Sequence, residues 1–148
     1  MLKIFIVILI LLGMGTYFMI SRGEPRQQGN FQIGGAVLSV EIADNFAKQY
    51  QGLSGRETLC QACGMLFVYD KPKIQNFVMR GMKFPLDFVF ISQGRIVESV
   101  ESVAPPKSGE TPAYINSTTP ADMVLEVNAG FVSKNKITTG DEARLDRE

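Results

Sequence analysis

The amino-acid sequence predicts a mainly β domain, either an antiparallel sandwich or a partly closed barrel with one or two short helices, preceded by an N-terminal transmembrane segment. Two observations predict the domain: runs of β-branched and aromatic residues of strand length, and turns containing Gly or Pro between them. A third observation, an uncharged apolar run near the N-terminus, predicts the membrane segment. An α+β arrangement is the alternative fold class.

The first twenty residues have the composition of a membrane segment. Residues 4–20, IFIVILILLGMGTYFMI, carry no charge, and a helix of this length spans roughly 26 Å, just short of a hydrocarbon layer of about 30 Å. A cleaved signal peptide, with Lys3 as its basic region, is the alternative. Because no good small-residue cleavage site follows, we expect an uncleaved single-pass anchor in the cytoplasmic membrane with the folded domain outside. If the segment is cleaved, the domain is secreted.

A polar linker and a first strand and helix follow the membrane segment. Residues 21–30, SRGEPRQQGN, have no periodicity and are typical of a linker, so we expect a single β-rich domain over residues 31–148. Residues 36–42 predict its first strand, and Asp44 is expected to cap a short helix. The apolar face of that helix would comprise Phe46, Ala47, Tyr50 and Leu53.

Further strand-like runs occupy most of the remaining sequence. The run at 86–91 is apolar on both faces, which predicts a central position in a sheet. Residues 104–121 contain four prolines, and we expect no regular structure there. Residues 129–136 predict a short helical turn. The other predicted strands are residues 65–69, 74–80, 95–103, 122–127 and 142–145.

The composition excludes several functional classes. Fifteen basic residues balance fifteen acidic ones, so the chain has no general electrostatic attraction to nucleic acid, and we expect no nucleic-acid partner. The chain contains no histidine, which excludes a Ser-His-Asp triad, a Cys-His pair and a histidine zinc site. We expect no cofactor and no metal.

Cys60 and Cys63 are the two cysteines of the chain, and they form a Cys-x-x-Cys pair. Outside the membrane such a pair is expected to form a structural disulfide. A redox couple is the alternative, although redox-active pairs usually open a helix, whose N-terminus lowers the thiol pKa, whereas a strand-like run follows here. Shared metal binding is a further alternative. A loop this small stabilises the fold by only about 2 kcal/mol in the entropic description.

Four ionisable residues in or beside apolar segments are the candidate ligand-binding residues: Arg56, Arg80, Asp87 and Glu126. A carboxylate in an apolar segment needs a cation or backbone donors, and a hairpin at 81–86 would bring Asp87 close to Arg80. We therefore expect Asp87 to pair with Arg80 or Arg56. The group is either a structural ion-pair network or a patch that binds an anionic or sugar-like ligand. Asp87 and Glu126 together could also serve as a hydrolytic carboxylate pair.

Three motifs carry a resemblance to a known family. GLSGR at 52–56, GMLFVY at 64–69 and NFVMRGMKFPLDFVFI at 76–91 resemble, in this order and spacing, the family called domain of unknown function 192. The resemblance covers roughly residues 39–145 and implies a compact, mostly β domain without implying an activity. One departure is visible at residues 77–82, where the family typically has Phe-Trp-Met-Lys-Asn-Thr and this chain has Phe-Val-Met-Arg-Gly-Met.

These observations leave three functional hypotheses. The first is a membrane-anchored extracytoplasmic binding or accessory domain, with the membrane as a partner through residues 1–20 and a small molecule or a protein as its ligand. The second is a small carboxylate-dependent hydrolase or carbohydrate-processing enzyme. The third is a thiol redox accessory protein. No residue is singled out as catalytic, and the non-enzymatic hypothesis is favoured.

Overall fold

Nine strands and two short helices follow one another along residues 27–146, the part of the chain that the computed structural model describes. Seven of the strands form one sheet, and the other two form a separate ribbon. The strands are β1 (Gln28–Ile33), β2 (Ala36–Ala43), β3 (Cys63–Lys73), β4 (Asn76–Val78), β5 (Leu86–Ser92), β6 (Arg95–Val103), β7 (Tyr114–Asn116), β8 (Ala121–Asn128) and β9 (Ala143–Asp146). The helices are α1 (Phe46–Gln51) and α2 (Phe131–Lys134).

The main sheet has the strand order β6-β5-β8-β3-β2-β1-β9, and the ribbon pairs β4 with β7. The predicted mainly β class with two short helices is confirmed. The expectation of a purely antiparallel arrangement is wrong at one point, because β2 and β3 are parallel. Parallel neighbours need a crossover connection rather than a tight turn, and the segment 44–62, which contains α1, supplies it.

The sheet curls into a half-barrel whose two ends meet. Where the starts of the two edge strands, β6 and β9, approach each other, Ala143 donates a backbone hydrogen bond to Gly94 O (2.9 Å), and Ile96 donates one to Asp141 O (3.0 Å). Buried side chains from β1 and β6 therefore belong to one inner core, which Val132 of α2 also enters. This arrangement agrees with the partly closed form of the predicted β fold.

The outer face of the curled sheet has a second core. Phe77 of the ribbon packs edge-to-face against Phe67 of β3 and Phe88 of β5, with ring centroids 4.9 and 5.6 Å apart. The crossover segment 44–62 lies over the same face, since Leu53 is buried in this core. Because the inner core covers their other side, β5 and β8 are buried on both faces. The predicted central position of residues 86–91 is thus confirmed.

Several predicted boundaries need correction. The linker expected over 21–30 overlaps β1, which begins at Gln28, and the strand predicted as the first, at 36–42, is therefore β2. The strand expected at 74–80 is limited to Asn76–Val78. The proline-rich stretch 104–121 contains a strand, Tyr114–Asn116, because its residues pair with β4.

The helix prediction was correct in position but wrong in its details. The N-cap of α1 is Asn45, whose side chain accepts a hydrogen bond from Lys48 N (3.0 Å), and not Asp44. Leu53 is buried as expected, whereas Phe46 is 81% exposed and stacks on the exposed Tyr50. Of the predicted apolar face, Leu53 is therefore buried in the core, whereas Phe46 and Tyr50 are exposed to solvent.

The transmembrane segment predicted over residues 1–20 lies outside the described residues. Within residues 27–146, neither helix is long and apolar enough to cross a membrane.

Asp87 is a structural residue of the inner core, and its predicted pairing with Arg80 or Arg56 is wrong. Its side chain is fully buried, with Oδ1 accepting from Ser102 N (2.8 Å) and Oδ2 from Val132 N (3.0 Å). Ser102 lies in a bulge of β6 and has a left-handed backbone, with φ of 56°. The carboxylate therefore holds this bulge and the start of α2 against β5, since backbone N–H donors satisfy it.

Candidate functional site

Glu126 is a buried acidic residue on the outer face of the sheet. It lies on β8, opposite Met65 of β3 and Phe88 of β5 in the two strand registers. Its side chain is only 6% exposed, and Oε2 has no hydrogen-bond partner within residues 27–146. A buried carboxylate without a partner is costly, and burial raises the pKa of Glu126 from 4.5 to about 8. At neutral pH the carboxyl group is therefore mostly protonated.

Glu126 is one of the residues that line a cavity of about 430 Å³ between the sheet, α1 and β4. We call this cavity the Glu126 pocket. Gly52, at the C-terminal end of α1, has φ of 52°, and a Cβ there would lie 3.6 Å from the Phe67 ring and 4.0 Å from Glu126 Oε2. Glycine thus permits the turn and leaves space beside the carboxyl. The pocket is lined by Phe46, Gln49, Tyr50, Gln51, Gly52, Leu53, Ser54, Phe67, Tyr69, Lys73, Ile74, Gln75, Asn76, Phe77, Val78, Arg80, Met82 and Glu126.

Two exposed cations lie at the outer part of the pocket, each over an aromatic ring. The Arg80 guanidinium carbon is 4.1 Å from the Tyr50 ring centroid, and Arg80 Nη2 donates to Tyr50 O (2.9 Å). Lys73 Nζ is 5.0 Å from the Tyr69 ring centroid. Cation–π contacts of this kind hold long side chains in place. Both cations are therefore positioned at the pocket by residues that also line it.

Tyr69 supplies a second, half-buried polar group near Glu126. Burial and, to a smaller extent, the neighbouring Glu126 carboxylate raise the pKa of Tyr69 to about 12. Its hydroxyl therefore stays protonated at neutral pH. Together, Tyr69 and Glu126 offer uncharged groups that both donate and accept hydrogen bonds.

The four predicted ligand-binding residues do not form one cluster. Arg80 and Glu126 both line the Glu126 pocket. Arg56 instead forms a bidentate ion pair with Glu41, with distances of 2.5 and 2.7 Å. Asp87 is in the inner core, as described above, although it lies on the strand next to Glu126. Since the two carboxyl groups point to opposite faces of the sheet, they do not form the carboxylate pair that hydrolysis would need.

Four further residues of the pocket were not singled out from the sequence: Tyr50, Gly52, Tyr69 and Lys73. The alternation of Met65, Phe67 and Tyr69 in β3 was a usable signal, because it places Tyr69 on the same face as its two neighbours. The positions at which the chain departs from the family pattern were another. Val78, Arg80 and Met82 are three of them, and all three line the pocket.

The cysteine pair forms a separate structural feature. The sulfur atoms of Cys60 and Cys63 lie at disulfide-bonding distance, with the Cα atoms 5.1 Å apart, which confirms the predicted disulfide. Asn128 of β8 donates to the carbonyl oxygens of Leu59 (3.1 Å) and Cys60 (3.0 Å), which fixes the same turn. Cys63 opens strand β3 rather than a helix, so the thiols lack the helix N-terminus that activates redox pairs. Within residues 27–146, no three His, Cys, Asp or Glu side chains are grouped to hold a metal ion.

The fold and the pocket together define a class: a small β half-barrel domain with a buried acidic residue in the lining of a cavity on its outer face. Residues 29–145 match the family described as Uncharacterized ACR, or domain of unknown function 192, and the chain belongs to this family. The resemblance seen in the sequence is thereby confirmed.

Two solved structures are similar to the chain. One is a protein from Sinorhizobium meliloti 1021 that has been proposed as a transcription regulator. It is 31% identical, with a TM-score of 0.74, covering 83% of this chain and 98% of that protein. The other is a protein of unknown function from Novosphingobium aromaticivorans DSM 12444, 26% identical with a TM-score of 0.75, covering 83% and 89%. No protein with a curated description matches the chain.

The buried Glu126 carboxyl predicts a specific dependence of stability on pH. Its pKa is about 8 in the folded protein and about 4.5 when unfolded, so between these values the unfolded state has lost a proton that the folded state keeps. The free energy of unfolding should therefore fall as pH rises from about 4.5 to 8, by at most about 5 kcal/mol. Glu126→Gln, which cannot ionise, should lose this decrease.

Urea unfolding of the wild-type protein and the variant at pH 4, 6, 8 and 9 measures the effect. Glu101→Gln, at an exposed position on β6, is the matched control and should follow the wild-type curve. If the wild-type and Glu126→Gln curves run parallel over this range, Glu126 is not held in its protonated form by burial.

Proposed function

We propose that this domain binds a small water-soluble ligand in the Glu126 pocket and acts as a binding or accessory module without catalysis of its own. One observation carries the proposal: a buried carboxyl group, one oxygen of which has no hydrogen-bond partner within residues 27–146, lies in the lining of a cavity. At about 430 Å³ the cavity falls within the usual range of roughly 300–1,000 Å³ for small-molecule sites.

The pocket has the chemical composition that such sites require. Phe67 and Phe77 provide apolar walls, while Tyr69, Gln75 and Glu126 provide polar groups at separate points of the lining. Hydrogen bonds in a site of low dielectric are strong, and an unpaired buried group is costly. A ligand that forms the missing hydrogen bond with Glu126 would remove that cost. The removal of this cost would contribute to the free energy of binding.

We also propose that residues 1–20 anchor the protein in the cytoplasmic membrane with the domain outside, or alternatively that the domain is secreted after cleavage. The uncharged run at 4–20 and the disulfide support an extracytoplasmic domain. Nucleic acid is not proposed as a partner, because basic and acidic residues balance. Intact-mass measurement of the protein isolated from membranes should find residues 1–20 retained, and loss of that segment would contradict the anchor.

Binding in the Glu126 pocket is testable with a screen against the full-length protein in detergent micelles. We expect a library of small polar molecules to contain ligands that shift amide NMR signals around α1, β3 and β8 and raise the thermal midpoint. Gly52→Ala should weaken the binding of these ligands at least tenfold, because the added methyl group lies near Glu126 Oε2 and the Phe67 ring.

Two features separate this result from loss of folding. Gly109→Ala, in which the added methyl group also meets a positive φ but contacts nothing within 4 Å, controls for backbone strain and should keep full binding. Ligands whose shifts map elsewhere, or that bind Gly52→Ala as tightly as the wild-type protein, would contradict the pocket as the binding site.

A further inference from the structure

We infer that the ligand of the Glu126 pocket is a small polyhydroxylated acid, whose anionic group meets Arg80 and Lys73 and whose hydroxyl groups reach Glu126. This inference rests on the proposed function, because it names the ligand class of the same pocket. Three properties of the lining lead to it: the sign of its charge, the free donors of Arg80 and the hydrogen-bond acceptors in its interior.

The charge of the lining favours an anion. Lys73 and Arg80 are the two cationic residues of the pocket lining within the described part of the chain, and Glu126 is its one acidic residue. Because Glu126 is mostly protonated at neutral pH, with its pKa raised to about 8 by burial, the lining has a net positive charge. A cationic ligand would meet repulsion from both exposed side chains, and an anion would meet attraction.

Arg80 is arranged to bind an anionic group. Its guanidinium is held over Tyr50 and donates one hydrogen bond to the Tyr50 carbonyl oxygen. A guanidinium has five N–H donors in a planar arrangement that suits carboxylate and phosphate groups. Since its position is fixed by the Tyr50 ring and carbonyl, Arg80 loses little further side-chain freedom when it binds.

The interior of the pocket presents acceptors that hydroxyl groups can satisfy. Gln49 Nε2 donates to Ala43 O (3.2 Å) and Val68 O (3.0 Å), and Gln75 Nε2 donates to Ala121 O (2.7 Å). Both side-chain N–H groups of Gln49 and one of Gln75 are thus engaged with the backbone, which leaves the two amide oxygens and the second N–H of Gln75 for a ligand. With the carboxyl of Glu126, the interior therefore suits a ligand that has several O–H donors.

A matched series of four probes tests the inference by isothermal titration calorimetry at pH 7 on the full-length protein in detergent micelles. D-gluconate, D-glucitol and D-glucamine share one polyol chain and differ only at C1, which is a carboxylate carbon, a hydroxymethyl carbon or an aminomethyl carbon with an ammonium group. D-glucitol 1-phosphate, which is substituted at the same terminal carbon, distinguishes a phosphate from a carboxylate. We expect at least one of the two anions to bind about tenfold tighter than D-glucitol, which is about 1.4 kcal/mol, and D-glucamine to bind most weakly.

Variants of the pocket assign the preference to its cations and acceptors. Arg80→Met and Lys73→Met should each reduce the difference between the anion and D-glucitol, whereas Lys134→Met, at an exposed position on α2, should leave it unchanged. Glu126→Leu should weaken the binding of the anions and of D-glucitol by the same factor, because it removes a group that binds the polyol chain they share.

The outcomes separate this inference from the proposed function. Tightest binding of D-glucamine, or an anion preference that survives both Arg80→Met and Lys73→Met, would overturn the polyhydroxylated acid. If none of the probes binds while the ligand screen gives molecules that map to the pocket, the ligand class is wrong and the proposed function stands. If the screen gives none either, both are wrong.

Discussion

Burial of carboxyl groups on two neighbouring central strands is the constraint on which the rest of this structure depends. β5 and β8 are covered on both faces, so every polar side chain on them must find a partner, lose its charge or open into a cavity. Asp87 finds two backbone N–H donors on the inner face and remains a structural acceptor. Glu126, on the outer face, has no partner for Oε2 within residues 27–146 and lines a cavity. Burial of a carboxyl group is thus offset by backbone hydrogen bonds at Asp87, which stabilise the fold. At Glu126 it leaves a polar group in the lining of a candidate site.

The cover of the outer face explains why the cavity exists. The crossover between β2 and β3 and the β4–β7 ribbon approach the sheet from two sides, and Leu53 and Phe77 fill the space beneath them. Above Glu126 the covering residue is Gly52, whose positive φ ends α1 and whose missing side chain leaves a gap. The aromatic rings that hold Arg80 and Lys73 belong to α1 and β3, so elements already needed for the fold also position the charges of the pocket.

Much of the fold could be predicted from the sequence, because strand composition and turn residues are local signals. The runs at 86–91 and 95–103 correspond closely to β5 and β6, and the helix at α1 and the disulfide were also predicted correctly. The parallel pairing of β2 with β3 was not, since it depends on where the crossover returns the chain. The strand at 114–116 was missed because its β4 partner, rather than its composition, makes it a strand.

The site was predictable only in part, and the reason is the two-residue period of a strand. Sequence proximity placed Asp87 beside Arg80, but alternation directs Asp87 to the inner core, whereas Arg80 lines the outer pocket. Glu126 was identified as a costly charge in an apolar strand, which is a local observation. The lack of a partner for Oε2 within residues 27–146 depends on the registers with Met65 and Phe88 and on the position of Gly52, and none of these can be inferred from composition or spacing.

The central claim is that Glu126 is protonated at neutral pH and that its Oε2 has no partner within residues 27–146. Titration of its side-chain ¹³C carboxyl signal by NMR tests this claim most directly, with the signal assigned by its absence from Glu126→Gln. We expect a midpoint near 8, which is the value to which burial raises the pKa. A midpoint near the ordinary value of about 4.5 would show that the carboxyl is hydrated or paired, and would contradict the account of the pocket given above.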